Sequence, residues 1–231
     1  MSNLSSPPPP VEAFRVLARL RGQIGARCDL CSAPLAEPHG HLLGPGQKVA
    51  CACPACGLLL GSGAARYRRL PTRVLRLGPD AIAAEDWRAL AIPIGLAFLF
   101  QRDSGAGAAL YPSPAGTLEA ELDDEIWARL GAGCPPLGRM APEVEGVLAL
   151  RLEPGPARPN PAPPRHYLAP RDRCLALTAI LGRHWRGFGG GETAWQAVAA
   201  FFDALDREAL AVPAGVAAAP PGRAIWEATH A

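Results

Sequence analysis

The apolar positions of this chain fall into short segments with mixed periodicity. Val11, Phe14, Leu17 and Ala18 recur at helical spacing and predict an amphipathic helix within residues 11–26. Gly40 to Leu43 and Lys48 to Ala52 flank Gly44-Pro45-Gly46-Gln47, a strong turn signal, and together predict a β-hairpin. Strands are predicted over 72–78, over the mostly apolar 94–101, over 108–111 ending at Pro112, and over 147–152. Glu85 to Leu90 predicts a short helix. Asp123 and Asp124 ahead of Ile126, Trp127 and Leu130 predict another, with acidic residues in its first turn.

Two longer helices are expected near the C-terminal end. The first, from about Arg171 to Trp185, carries Cys174, Leu177, Leu181 and Trp185 on one stripe. The second, from about Glu192 to Leu210, carries Trp195, Val198, Phe201, Phe202 and Leu205. Gly189-Gly190-Gly191 separates them. Residues 1–10 are expected to be a disordered leader, 153–165 a proline-rich loop, and 211–231 a flexible tail. Strands mix with helices but follow no regular βαβ rhythm. The expected fold class is therefore α+β: a zinc-ribbon-like hairpin module over 27–62, then an α+β domain over 63–210 that ends in a helical pair.

Composition narrows the classes of function. The 231 residues are 49% hydrophobic and 19% charged, which allows a packed core. Lys48 is the sole lysine among 23 basic residues, so the arginine content reflects a coding bias and not a nucleic-acid surface. The formal charge is +2, and it falls to zero when four cysteines ionise around one divalent ion, leaving no global field for DNA or an anionic membrane. Residues 1–10 do not read as a signal peptide. The longest apolar run, Ala89 to Phe100, is twelve residues interrupted by Pro93, short of the ~20 a membrane helix needs. The expected location is the cytoplasm, where cysteines serve as metal ligands or free thiols more often than as disulfides.

The chemistry concentrates in the hairpin module. Cys28 and Cys31 form one Cys-x2-Cys pair, and Cys53 and Cys56 form a second after twenty-one intervening residues. Two residues between cysteines let the chain turn back and aim both sulfurs at one ion. Two such knuckles on a hairpin supply four thiolates in a tetrahedron. Gly57 offers the backbone freedom such a knuckle can require. The expected metal is zinc, with iron in a rubredoxin-like site as the alternative. Cys51 is a surplus ligand on the face of Cys53 if the strand is extended. His39 and His41 share a face of the opposite strand, either as a solvent-facing hairpin edge, as alternative ligands, or as donors to sulfur.

Other candidates carry less. Arg66, Arg68, Arg69, Arg73 and Arg76 surround Tyr67, an arrangement found in nucleic-acid footprints and equally in solvated linkers. Asp172, Cys174 and His184 invite a catalytic-thiol reading, but on one helix Cys174 and His184 stand ~15 Å apart and cannot touch. Trp185, Arg186 and Phe188, in a glycine-rich turn, are candidate partner-binding residues. There is no P-loop, nucleophile elbow, dinucleotide fingerprint or His-Glu-x-x-His motif, and the chain is expected to be no enzyme.

Several stretches together resemble the domain-of-unknown-function family 5947 of bacterial proteins. They are Cys28-Asp29-Leu30-Cys31, His41-Leu42-Leu43, Cys51-Ala52-Cys53-Pro54-Ala55-Cys56, Tyr111-Pro112-Ser113-Pro114-Ala115-Gly116, Tyr167-Leu168-Ala169-Pro170 and His184-Trp185-Arg186-Gly187. The resemblance implies a protein encoded beside uptake nickel–iron hydrogenases, with an accessory, maturation or electron-relay role and a protein partner in that machinery. It brings no catalytic residues. A zinc-ribbon regulator binding nucleic acid stands as a further alternative.

Overall fold

The computed structural model describes residues 26–61, 66–113, 116–152, 162–187 and 190–211. The helix expected within 11–26, the leader, most of the proline-rich loop, Phe188 and residues 212–231 lie outside them. The chain divides into two compact units, residues 1–69 and 70–231.

The smaller unit is built on a three-stranded antiparallel sheet in the order β2-β1-β3, with β1 at Gly40–Leu43, β2 at Val49–Ala52 and β3 at Arg68–Arg69. The Pro45–Gln47 segment turns as a single 3-10 turn between β1 and β2. Gly46, at φ 67°, and Gln47, at φ 61°, are both left-handed, a conformation that glycine takes without strain. The unit extends past the expected boundary at residue 62 because Arg68 and Arg69 pair with Leu43 and Leu42. Helix α1, Pro54–Leu60, follows β2 and is not among the elements the sequence predicts. Its start is well specified: Pro54 sits in the first turn and Cys53 caps it.

The larger unit carries a seven-stranded sheet in the order β10-β4-β9-β8-β5-β6-β7. The strands are β4 Leu75–Leu77, β5 Leu96–Gln101, β6 Gly107–Ser113, β7 Gly116–Glu121, β8 Glu145–Leu150, β9 Arg165–Pro170 and β10 Leu210–Ala211. All pairings are antiparallel except that of β10 with β4. The helices are α2 Ala84–Ala89, α3 Asp124–Gly133, α4 Arg171–His184 and α5 Gly191–Glu208. The fold class is α+β, as expected from the irregular order of strands and helices.

The central strands are covered on both faces. Register aligns Phe98, Leu148 and Tyr167 across β5, β8 and β9, and Tyr167 packs on Phe202 of α5 at 5.8 Å. The opposite row, Leu99, Val147 and Leu168, is equally buried. This explains why β5 and β8 read as continuous apolar runs instead of alternating patterns. Asp123 caps α3 by accepting from the backbone of Glu125 and Ile126. Gly107 is needed for packing: a Cβ there would lie 2.3 Å from the Trp127 indole.

Candidate metal centre

The first cysteine pair sits in a tight loop closed on itself. Leu35 N–H donates to Ala26, Cys28 N–H to Ala33, and Ser32 N–H to the Cys28 carbonyl, at 2.7, 2.9 and 2.8 Å. Ser32 takes a left-handed φ of 61°, a strained choice for a serine that reverses the chain directly after Cys31. The second pair uses a helix. Cys53 caps α1, its sulfur accepting from Cys56 N–H at 3.5 Å, and Gly57 N–H donates to the Cys53 carbonyl. Gly57 is an ordinary helical residue here. The backbone freedom expected at Gly57 is used instead at Ser32.

These two loops bring Cys28, Cys31, Cys53 and Cys56 together, with all four sulfurs within 4.8 Å of one another. Cys31 and Cys53 Sγ are 3.7 Å apart. The edge of a sulfur tetrahedron around an ion with ~2.3 Å metal–sulfur bonds is ~3.8 Å. All four thiols are free, and 3.7 Å is far beyond a disulfide bond. Cys28 and Cys53 are buried, Cys56 is half-buried and Cys31 is exposed. The donor set and its spacing fit a tetrahedral thiophilic ion.

Electrostatics show why the cluster favours a cation. A backbone hydrogen bond from Cys53 draws the Cys28 thiol down to about 6 against the effect of burial. The Cys31 thiol accepts a hydrogen bond from the Ala33 backbone and is favoured by Cys56, yet the sulfurs of Cys28 and Cys53 raise it overall. Cys56 is pushed up to about 12, first by the sulfur of Cys31 and then by burial. Four thiolates repel one another at this distance, and a bound cation removes that repulsion.

Cys51 does not stand in for Cys53. In β2 it pairs in register with His41 of β1, and its side chain gathers with His39 and His41 in a separate group whose ligand atoms also lie within 4.8 Å of one another. These histidines are not a solvent-facing edge. β1 is the central strand, and the His39 side chain is 11% exposed. Among the described residues, these are the two groups of cysteine, histidine or acidic side chains placed to hold an ion. Two residues that spacing does not single out join these groups: the Asp29 carboxylate accepts from Cys51 N–H at 2.6 Å, and Glu37 Oε1 lies 3.1 Å from His39 Nδ1.

The remaining candidates have local explanations. Arg69 donates to the Gly57 carbonyl at 2.7 Å, Arg73 meets Glu145 at 3.2 Å and Arg76 meets Asp206 at 3.0 Å. Tyr67 lies against Gly44, where a Cβ would come within 2.7 Å of its ring. Cys174 and His184 occupy the first and last turns of α4, and burial pushes the Cys174 thiol up to about 12, the opposite of an activated nucleophile. Trp185 is half-buried against Trp195 at 6.2 Å, while Arg186 is exposed and donates to the Trp185 carbonyl. No helix among the described residues is long and apolar enough to cross a membrane.

The model of a family of unknown function, DUF5947, matches residues 27–209, which takes in both units and all four cysteines. No curated protein and no solved structure matches the chain.

Proposed function

The chain belongs to the DUF5947 family of unknown function, and we propose that it is a non-enzymatic metal-binding accessory protein whose four-cysteine centre holds zinc. The convergence of the Cys28, Cys31, Cys53 and Cys56 sulfurs carries this reading. Zinc has no redox chemistry and no geometric preference beyond the tetrahedron, which suits a centre that organises a small fold. Among the described residues of the smaller unit, the buried apolar side chains besides cysteine are Leu42, Leu43 and Ala52. Two buried leucines contribute about 3–6 kcal/mol, against the ~10–16 kcal/mol typical of a structural zinc site.

A partner-binding role is supported by α1. Leu58 and Leu59, directly after the Cys56 knuckle, are 64% and 75% exposed. Adjacent large apolar side chains on a metal-stapled helix form a docking spot for another protein. The family likeness read from the sequence supplies the setting, a nickel–iron hydrogenase system in the cytoplasm, with the hydrogenase or its maturation factors as partner. The alternative reading, a rubredoxin-like electron carrier, is favoured by the exposure of Cys31, which would bring an iron centre to the surface. The pairing of the nearby arginines with carbonyls and carboxylates speaks against a nucleic-acid regulator.

Elemental analysis of protein expressed without added metal tests the centre. A colourless protein with zinc in the four-cysteine site supports the first reading, and visible thiolate-to-iron absorption supports the second. Loss of hydrogenase activity in host cells carrying Cys53→Ser or Leu58→Asp/Leu59→Asp tests the setting. Unchanged activity in both strains would rule out the accessory role.

A further inference from the structure

The surplus ligands of the hairpin form a site of their own. We propose that His39, His41 and Cys51 bind a second transition-metal ion, separate from the four-cysteine centre, with one coordination position left open.

Strand geometry builds this group. His39 directly precedes β1 and stands two residues from His41, whose ring it meets. Cys51 is the register partner of His41 on β2 and so faces the same way. Leu42 and Ala52, the neighbours in sequence, are buried at 1% and 2% exposure on the opposite face. The imidazoles of His39 and His41 meet edge-on with centroids 5.0 Å apart, and one ligand atom from each of the three residues lies within 4.8 Å of the others. A tetrahedral ion with nitrogen and sulfur ligands spans edges of ~3.3–3.6 Å. Binding would draw the three ligand atoms in from that separation to those edges.

A second observation points to a ligand at this place. The His39 side chain is 11% exposed, and both its ring nitrogens are buried without a hydrogen bond among the described residues. Buried imidazole nitrogens are ordinarily paired. Glu37 Oε1 stands 3.1 Å from Nδ1, off the line of a ring N–H but close enough to become its acceptor after a small turn. That turn would leave Nε2 as the metal-binding atom. A carboxylate behind a histidine ligand is a recurrent support in metal sites, because it fixes the tautomer and raises the basicity of the ligating nitrogen.

The donor set defines the ion. Two neutral imidazoles and one thiolate suit zinc or a similar borderline divalent ion, and disfavour magnesium and calcium, which take oxygen. Three protein ligands leave a fourth position for water or for a donor from outside the chain. Cys51 and Cys53 are two residues apart along an extended segment, a spacing of ~7 Å. The two centres would therefore be neighbours along one strand while sharing no ligand.

Cobalt titration of the full chain tests this. The expected result is two ions per chain, the first with four-thiolate charge transfer and the second adding the charge transfer of a single thiolate. The triple variant His39→Ala/His41→Ala/Cys51→Ser should bind one ion and keep the four-thiolate spectrum, which also reports that the hairpin has folded. A second measurement does not depend on the variant: between one and two equivalents of zinc, the ring nitrogen resonances of His39 and His41 in the unmodified chain should shift. One ion per chain at saturation would overturn the proposal. So would a second ion that survives the triple substitution, or imidazole resonances that stay still between one and two equivalents.

Discussion

Asp29 and Cys51 hold each other by both ends of the peptide. Asp29 N–H donates to the Cys51 carbonyl at 2.9 Å, and Cys51 N–H donates to the Asp29 carboxylate at 2.6 Å. Asp29 lies between Cys28 and Cys31, while Cys51 lies on β2 two residues before Cys53. This reciprocal bond ties the first knuckle to the strand that leads into the second. Asp29→Ala removes the side-chain half and should cost about 1 kcal/mol, or roughly fivefold in metal affinity. Asp29→Asn keeps an acceptor and should lose less. Competition with a chromophoric chelator reads both, and equal affinities for Asp29→Ala and the unmodified protein would show that the clamp does not shape the centre.

Metal removal should separate the two units. Among the described residues, the main apolar cluster runs from Val74 to Leu205, within the larger unit. The four described tryptophans, Trp87, Trp127, Trp185 and Trp195, all belong to the larger unit, and their fluorescence reports on it. A strong chelator is expected to abolish amide-exchange protection over residues 27–61 and to leave the tryptophan melting curve within about 1 °C of the untreated protein. Loss of both together would show that the larger unit depends on the metal.

The strength of the centre should rise with pH. Cys31 and Cys56 both carry raised thiols, Cys56 to about 12, so both hold their protons at neutral pH and must release them to bind an ion. Release of two protons steepens apparent affinity by about a hundredfold per pH unit. Calorimetry in buffers of different ionisation enthalpy should count at least these two protons at pH 7.5. A count near zero would mean that the thiolates are preformed.

The four-cysteine cluster was legible because two Cys-x2-Cys pairs flank a hairpin that brings them together. The hairpin was legible from its turn residues. What could not be read was the partnership of Cys51. Spacing placed it with Cys53, whereas the strand register pairs it with His41, and register is a property of the folded sheet. β9 was hidden because Arg165 to Pro170 adjoins the proline-rich run, although Tyr167 lies at the centre of the core. β7 was missed for a different reason. It forms the edge of the sheet, and its apolar positions alternate with Glu119 and Glu121 over only a few residues, with Leu118 itself exposed. The short helix α1 was missed because seven residues give too little periodicity to detect.

The larger unit should lose stability in mild acid through a single buried histidine. His166 on β9 is 1% exposed; its Nδ1 lies 3.1 Å from the Gly78 carbonyl and its Nε2 has no hydrogen bond among the described residues. Burial lowers its pKa below 6.5; the Gly78 carbonyl works against that shift, Arg151 adds to it, and Asp80 opposes it. With the folded value below the unfolded one, the unfolded chain binds the proton first. The stabilising contribution is present in full above about 6.5 and declines as pH falls toward the folded value, with a slope of at most ~1.4 kcal/mol per pH unit. His166→Asn keeps a donor for Gly78 and cannot titrate. Denaturant unfolding followed by tryptophan fluorescence between pH 8 and 5 should therefore show the gap between the two proteins shrinking as pH falls below 6.5. Parallel curves across that range would mean that His166 reaches water or a counter-charge in the folded protein.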